Sequence, residues 1–313
     1  MHGDGTLLLT SPDVRPTVTL DAEYLARQLE ATGFFRMLRR LTPPKVVADH
    51  PLSFDEHVCC LVDIETNPAG RREHDIIELA MVLLVYDDQG RPGPVIGVLE
   101  QLQEPSVPLS TITTRLTGIT DAAVTGHRFD LPAIAEFLDK AEFVVSHNAL
   151  RDRPLLEALS WDFAEKPWAC SIADVPWTEY GVDTSRLVNI AEHYGFFFRA
   201  HRAAEDCTAL LAVLGATTPR QPRPAFHDLL ASVKRESVQV DAIAVPYAHK
   251  DMLKRRRYRW IPDSDGRPAA WRIEVAPQNL DAEIAWLDRY IYCGSDVTPL
   301  VRTVTAVERY RAS

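Results

Sequence analysis

The stretch LVDIET, residues 61–66, decides the fold, because its apolar positions predict a buried strand that carries two carboxylates. The mainly apolar run extends over Cys59–Ile64. Side chains of a strand alternate with a period of two, so Asp63 and Glu65 lie on the same face. Two carboxylates at this spacing can bind one hard cation, since such cations prefer oxygen ligands.

Two further segments carry polar side chains that can join this pair. In SHNALRD, residues 146–152, a second apolar strand ends and the helix that follows presents Asp152. In HRAAED, residues 201–206, His201 stands five residues before Asp206, and the following CTALLAVL is strongly helical. If the three segments converge, they bring together four carboxylates and an imidazole that can take a proton near neutral pH.

This set of side chains is the one that two-metal phosphodiester hydrolysis uses. Four carboxylates can hold two Mg²⁺ or Mn²⁺ about 3.5–4 Å apart, one activating a water and the other stabilising the leaving oxygen. His201 is the predicted general base. Each segment alone has a plainer explanation, since Asn148 can simply cap a helix and Asp-X-Glu can end a solvated strand. Their order and spacing together favour the catalytic interpretation.

In this order the three segments resemble the D-x-E-T, H-N-A-x-x-D and H-x4-D motifs of the DEDDh 3′–5′ exonucleases, the DnaQ-like superfamily of the bacterial proofreading epsilon subunit. The segments HDIIELAMVLL, LTGIT and LVNIAEHYG extend the resemblance over about residues 57–215. It implies an α/β fold with an RNase H-like mixed sheet flanked by helices, and removal of nucleotides from a 3′ end. It also implies that Asp63, Glu65, Asp152 and Asp206 bind two metal ions and that Thr66 and Asn148 contact the nucleic acid.

The sequence departs from the family pattern at two places. Arg151 stands before the second motif's aspartate, where the family usually has an aromatic residue. Asn67-Pro68-Ala69 replaces the common Thr-Gly-Leu, and Arg71-Arg72 follow. Neither departure removes a metal ligand, so they bear on substrate preference.

Composition bounds the class of protein. The chain has 313 residues, of which 46% are hydrophobic and 25% charged, as in ordinary soluble globular proteins. No apolar run approaches the roughly 18 residues of a membrane span, and the start lacks the features of a secretory signal. The five cysteines form no Cys-X-X-Cys pair. These features predict a reduced, cytoplasmic setting without a membrane partner.

Charge is distributed unevenly along the chain. The net charge of −10 argues against tight non-specific duplex binding. Residues 225–313, however, hold 14 Lys and Arg against 12 Asp and Glu, many of them in KDMLKRRRYRW. Cations beside aromatic rings suit single-stranded nucleic acid, which makes Lys254, Arg255, Arg256, Arg257 and Trp260 candidate contacts. The alternative is a solvated basic helix, with Trp260 and Trp271 packed in a small core.

The pattern predicts four segments. Residues 1–50 form a helical extension, in which 1–16 carry no periodic pattern and Gly33 divides 19–41 into two helices. Residues 51–216 form the exonuclease domain, 217–225 a Pro-rich linker, and 226–313 a small basic α+β accessory domain. In the last domain we expect strands at 243–245, 258–261 and 270–275 and helices at 249–256 and 280–291.

The leading hypothesis is a 3′–5′ exonuclease on single-stranded DNA 3′ ends, in proofreading or repair. The same chemistry on RNA or short oligonucleotides is one alternative, because the motifs do not distinguish the sugar. A non-catalytic nucleic-acid-binding module is another, which the complete ligand set opposes. Association with a polymerase or a repair protein stays open.

Overall fold

The computed structural model describes residues 21–68, 75–218, 221–263 and 266–311. The expectations for residues 1–16 and for Arg71-Arg72 lie outside these ranges, as do parts of the predicted linker and of the turn at 263–266. The chain divides into two compact units, residues 1–39 and residues 40–313. None of the described helices is long and apolar enough to cross a membrane.

In the first unit, of which residues 21–39 are described, the chain forms helix α1 (Ala22–Ala31). Its N-terminus is capped by the Asp21 carboxylate, which accepts hydrogen bonds from the amides of residues 23 and 24. The predicted second helix after Gly33 is wrong, because residues 34–38 are not helical. Gly33 has a φ of +76°, and Phe34 beyond it is 89% exposed. A helix needs a buried apolar face to be stable, and these residues are not packed into one.

Beyond the short strand β1 (Arg39–Arg40), the second unit is built from alternating strands and helices. In chain order they are β2 (Glu56–Asn67), β3 (Asp75–Asp87), β4 (Pro92–Leu102), α2 (Thr111–Thr117), α3 (Asp121–Val124), α4 (Leu131–Asp139), β5 (Phe143–Ser146), α5 (Ala149–Leu159), α6 (Asp162–Glu165), β6 (Trp168–Cys170), α7 (Leu187–His193), β7 (Phe196–Phe197), α8 (Ala203–Gly215), α9 (Phe226–Lys234), β8 (Ser237–Ile243), α10 (Lys250–Arg255), β9 (Arg259–Ile261), β10 (Ala270–Val275), α11 (Leu280–Leu287) and β11 (Leu300–Val304).

The main sheet has five strands in the order β4-β3-β2-β5-β6. Strands β2, β3 and β4 pair antiparallel, while β5 and β6 run parallel to β2. The predicted mixed, RNase H-like sheet is therefore confirmed. Parallel strands need a crossover connection, which the intervening helices supply.

Strand β2 lies at the centre of the sheet and is buried on both faces. Cys59 and Leu61 pack in one core cluster with Leu210 of α8. Cys60 and Val62, of opposite parity, pack in a second cluster on the other face. Because side chains alternate along a strand, Asp63 and Glu65 share the parity of the α8 side.

The C-terminal part contains a second, antiparallel sheet in the order β11-β8-β10-β9. The predicted strand 270–275 is confirmed as β10. The predicted strand 258–261 and the predicted helix 249–256 are confirmed as β9 and α10, whose ends differ from the prediction by at most one residue. The predicted helix 280–291 is α11 followed by a π-helical segment, Asp288–Tyr292. The predicted strand at 243–245 is wrong, because β8 ends at Ile243, where Ala244 takes a φ of +53°. Helix α9 and strand β11 were not predicted.

Both ends of the C-terminal segment pack against the exonuclease fold. Phe226, Leu229 and Leu230 of α9 belong to the same core cluster as Leu210 of α8. The amide of Trp168 in β6 donates to the carbonyl of residue 306. The predicted domain boundaries stay predictions, but the segment is not tethered through a linker alone.

The fully buried guanidinium of Arg153 on α5 fixes the end of the chain. Its Nη1 donates to the carbonyl of Arg309 and its Nη2 to that of Val307, each at 2.6 Å. Its Nε binds Glu157 Oε1, also at 2.6 Å. A buried charge must be paired to be tolerated, so this side chain holds residues 306–309 on α5.

Replacing Arg153 by leucine should destabilise the protein by about 3 kcal/mol, because buried carbonyls and Glu157 lose their donors. Urea unfolding measures this. Lys140→Ala is the control, since its exposed contact with Glu136 at 3.5 Å should be worth less than about 1 kcal/mol. Equal unfolding midpoints for the two variants would show that Arg153 does not secure the C-terminal segment.

Candidate active site

Three carboxylates meet where β2 and α8 adjoin. Asp63, Glu65 and Asp206 each offer an oxygen, and these oxygens all lie within 4.8 Å of one another. The donors are oxygen only, with no cysteine or histidine among them, and this set suits Mg²⁺ or Mn²⁺ rather than a softer metal. The geometry of these residues therefore fits a divalent cation.

Helix α8 brings Asp206 to the strand. Its first turn contains Glu205 and Asp206, and negative charge is favourable at a helix N-terminus. Asp206 Oδ2 also accepts a hydrogen bond from the Arg202 amide at 3.0 Å. The start of the helix and the carboxylate are thus fixed together.

The buried carboxylate of Glu78 on β3 holds the start of α8 in place. It accepts from Arg202 Nη2 at 2.7 Å and from the Ala203 amide at 2.9 Å. Glu78 is directly opposite Glu65 in the register of the sheet. Although it is an adjacent acid, its oxygens are engaged by α8, so it supports the site rather than joining the triad.

Asp152 lies in the first turn of α5 and is buried. It is outside the group of three oxygens but lines the same cleft, which has a volume of about 630 Å³. The cleft is also lined by Asp63, Glu65 and Asp206, and by Asn148 and His201. The structure thus brings all five predicted catalytic residues and Asn148 to one cleft, while their roles stay predictions.

Burial raises the pKa of every carboxylate in the cleft. The pKa of Asp63 lies well above its usual range because of burial and then the charges of Asp206 and Asp152. Burial and the neighbouring Asp206 raise the pKa of Glu65 to about 8. Burial raises the pKa of Asp206 to about 7 and that of Asp152 to about 6. The site concentrates negative charge that a bound cation would stabilise.

His201 lies at the mouth of the cleft. It is exposed and precedes α8 with a φ of +66°, a left-handed conformation uncommon outside glycine. Such strain concentrates at functional sites. The position leaves the imidazole at the boundary between the carboxylates and solvent.

His147, the other histidine of the cleft, is engaged in the fold. Its Nε2 donates to the Ser185 carbonyl at 2.7 Å, and its Nδ1 then accepts from Ser171 Oγ at 2.7 Å. Burial lowers the pKa of His147. This hydrogen bonding uses both ring nitrogens and favours a structural role for His147 over metal binding.

A second pocket of about 410 Å³ adjoins the carboxylates on the side of α2. Glu65, Thr66 and His201 line it together with Ile112 and Leu116, which are 60% and 50% exposed. Sequence reasoning missed these two apolar residues. Their i, i+4 spacing, with Leu116 as the first residue of LTGIT, is the signal that could have found them.

Arg151, the departure from the family's aromatic, separates the two pockets. It lines both of them, and its Nη2 donates to Thr66 Oγ1 at 3.0 Å. It also places a positive charge near Glu65. The predicted contact Thr66 is thereby held by a cation at the entrance to the cleft.

The predicted basic contacts do not line the cleft; they lie on α10, on β9 and in the turn between them. Lys254, Arg255 and Arg257 are exposed, whereas Arg256 binds Glu283 at 2.8 Å and packs over the Trp286 ring. Trp260 is 53% exposed and meets the buried ring of Trp271 edge-on. Their role in binding stays a prediction.

The fold and the acidic cleft define a nuclease-type centre, and comparison with known proteins gives its family. Residues 61–214 match the RNase T family model described as Exonuclease. These residues match an exonuclease domain of that family, and the resemblance to DEDDh exonucleases is confirmed.

Relatives with similar sequences match the same region. The chain is 28% identical over 138 residues to the PolC-type DNA polymerase III of Streptococcus pyogenes, covering 42% of this chain and 9% of that protein. It is 29% identical over 117 residues to the PolC-type enzyme of Streptococcus thermophilus, covering 37% of this chain and 8% of that protein. The chain thus spans less than a tenth of these relatives.

Solved structures resemble the chain more distantly. Exonuclease X in complex with 5′ overhanging duplex DNA is 20% identical with a TM-score of 0.37, over 54% of this chain and 99% of that one. The nuclease domain of 3′hExo, a DEDDh family member bound to rAMP, is 19% identical with a TM-score of 0.39, over 51% and 90% of the two chains.

Without divalent cations, the protein should become less stable as pH rises from about 4 to about 8. In the folded protein, Glu65 and Asp206 retain their protons up to about pH 8 and about pH 7, whereas in the unfolded chain they lose them near pH 4. Because the folded state binds more protons over this range, the free energy of unfolding falls as the pH rises. Melting temperature in EDTA across this range measures the effect.

Added Mg²⁺ should raise the melting temperature, and more so at the alkaline end, because the cation replaces the protons. Asp206→Asn should flatten the pH dependence, while Asp139→Asn, at an exposed acid outside the cleft, should not. A flat profile for the unsubstituted protein would contradict the proposed electrostatics of the site.

Proposed function

We propose that this chain is a metal-dependent 3′–5′ exonuclease that hydrolyses phosphodiester bonds at DNA 3′ ends. The observation that carries the proposal is the convergence of Asp63, Glu65 and Asp206 within 4.8 Å in an open cleft shared with Asp152 and His201. Carboxylates of this kind bind cations, and a cleft gives a strand end access to them.

Asp63, Glu65 and Asp206 would hold one divalent ion, and Asp63 with Asp152 a second. When bound, these ions supply Lewis-acid activation of a water and stabilise the charge of the leaving oxygen. The protein's own contribution is to fix the carboxylates, through the sheet for Asp63 and Glu65 and through the Arg202 amide for Asp206.

His201 would accept the proton of the attacking water. Histidine is the side chain that most often serves as a general base, and the exposed position of His201 at the cleft mouth lets the proton pass on to solvent. Its place next to the first turn of α8 fixes it relative to Asp206.

The pocket beside α2 would receive the terminal nucleotide. Ile112 and Leu116 present apolar surface on which a base can pack, and Arg151 at the boundary of the two pockets can meet a phosphate. Thr66 and Asn148 line the edges of these pockets and would hydrogen-bond to the nucleotide.

DNA is the substrate we propose, because the relatives that match this domain are DNA polymerases III. Proofreading or repair in the cytoplasm would be the corresponding role. An association with a polymerase is a further part of the proposal, and co-purification with tagged chain tests it. The cleavage assay has two competing outcomes: RNA is the substrate, or the protein binds a strand without cleaving it.

Purified protein should shorten 5′-labelled single-stranded DNA stepwise in Mg²⁺ or Mn²⁺ and release mononucleotide from 3′-labelled DNA. EDTA should abolish this, and Asp63→Asn should reduce it by at least about 10³-fold, with Asp139→Asn as the matched control. Faster cleavage of RNA of the same sequence would reassign the substrate, and strand binding with no cleavage of either would overturn the nuclease function.

His201→Ala should lower kcat by about 10²–10⁴-fold while leaving metal-dependent thermal stabilisation unchanged, because a general base takes no part in metal binding. His127→Ala, at an exposed histidine outside the cleft, is the control. Loss of metal stabilisation in His201→Ala would make it a ligand instead.

A further inference from the structure

The C-terminal sheet has one face covered by helices and one that carries arginines. Val240 and Trp271 pack with α10 and α11 in a small core. Residues of the opposite parity lie on the other face. These include Arg259 and Arg272, which are register partners, and Arg302, which pairs with Gln239.

A cavity of about 590 Å³ lies on this face, bounded on its other side by Leu150 of α5 and Tyr310. Its charged lining is strongly basic, with seven arginines against two glutamates. They are Arg257, Arg259, Arg267, Arg272, Arg302, Arg309 and Arg311, with Glu274 and Glu308.

Several of these charged groups are already engaged in the fold. Arg272 Nε donates to Asp241 Oδ1 at 2.7 Å and Arg302 Nη2 to Gln239 Oε1 at 2.8 Å. Arg309 and Arg311 donate to backbone carbonyls. Glu274 accepts from Ser237 Oγ, and Glu308 accepts from the Thr305 amide at 2.8 Å.

Three guanidiniums and one further Nε of this lining have no hydrogen-bond acceptor in the part of the chain that the structure describes. The guanidiniums are the exposed ones of Arg257, Arg259 and Arg267. The further Nε is the buried one of Arg309, which forms no hydrogen bond and lies 3.9 Å from Glu274 Oε1. A buried donor without a hydrogen-bond partner is rare in folded proteins, and Arg309 is one of the residues that line the cavity.

The backbone of Arg257 is an independent sign that this side chain is used. Its φ is +70°, and its amide donates to the Lys254 carbonyl while that of Tyr258 donates to Leu253. This is the Schellman ending of α10, at the position where glycine is preferred. A non-glycine residue costs about 1 kcal/mol there, and such strain is a reason to look for function.

We propose that this cavity binds phosphates of a single nucleic-acid strand whose 3′ end lies in the carboxylate cleft. The identity of the strand rests on the proposed nuclease function, whereas the phosphate site rests on the arginines. Guanidinium forks match phosphate oxygens in pairs. Nothing assigned to the cleft uses these residues.

Helix α5 separates the two sites and sets the length of strand that reaches both. Leu150 lines the cavity and Asp152 the cleft, and residues two apart lie on nearly opposite sides of a helix. Crossing a helix of about 10–12 Å diameter takes about three nucleotides at roughly 3.4 Å each. Only longer strands should therefore touch the arginines.

The test is binding of the full chain in EDTA to fluorescent single strands of about twelve and about three nucleotides, over a salt series. Replacing Arg257, Arg259 and Arg267 together by alanine should raise Kd for the long strand about tenfold and lower its log–log salt slope by about 2, since each phosphate contact contributes about 0.7. The short strand should bind as before. Arg289→Ala, an exposed cation on the same sheet unit, should change neither.

Arg257→Gly separates binding from folding. It should weaken binding of the long strand while its melting temperature stays equal or rises, because glycine removes the backbone strain. Weaker binding accompanied by a lower melting temperature in both variants would make the arginines structural and overturn the inference, as would unchanged binding. Competition by inorganic phosphate as strong as that of the long strand would reassign the cavity to a free phosphate.

The binding measurement does not depend on cleavage of the strand. A chain that binds long strands through these arginines but cleaves no 3′ end would overturn the nuclease function alone. An active nuclease whose triple variant binds like the unsubstituted protein would overturn the phosphate site alone.

Discussion

The concentration of negative charge at the centre of the main sheet is the constraint on which the rest of the site depends. Asp63 and Glu65 extend from a strand that is apolar on both faces, and burial raises their pKa. Ionised carboxylates are costly in such surroundings. The fold places the positive end of the α8 dipole against them, and the Arg202–Glu78 pair fixes the start of that helix.

Helix α5 connects the site to the C-terminal segment through three nearby residues with different surroundings. Asp152 lies in the carboxylate cleft, Leu150 lines the arginine cavity, and Arg153 is buried beneath residues 306–309. These side chains leave the same helix in different directions. One helix therefore contacts the cleft, the arginine cavity and the C-terminal residues.

Most of the main sheet could be predicted because its signals are local. The apolar runs of β2, β3 and β5 predict where the strands lie, and the strand period of two places Asp63 and Glu65 on one face. Prediction failed where tertiary packing decides: the expected second N-terminal helix is absent after Gly33, and β8 ends where 243–245 was expected to begin a strand. Helix α9 was not predicted, because its apolar residues Phe226, Leu229 and Leu230 are buried by contacts with a core that other parts of the chain form.

The sequence by itself determined which residues carry acidic and basic chemistry and in what order, because strand period and motif spacing are properties of the local chain. Only the tertiary structure decided that Glu78 binds α8 rather than joining the triad, that Ile112 and Leu116 form a wall beside Glu65, and which arginines remain unpaired. Arg256 and Arg257 are neighbours in one basic run, yet Glu283 pairs with the first and the second lines an open cavity. The partner of a charged side chain is set by contacts between residues far apart in the chain, and these exist only once the chain has folded.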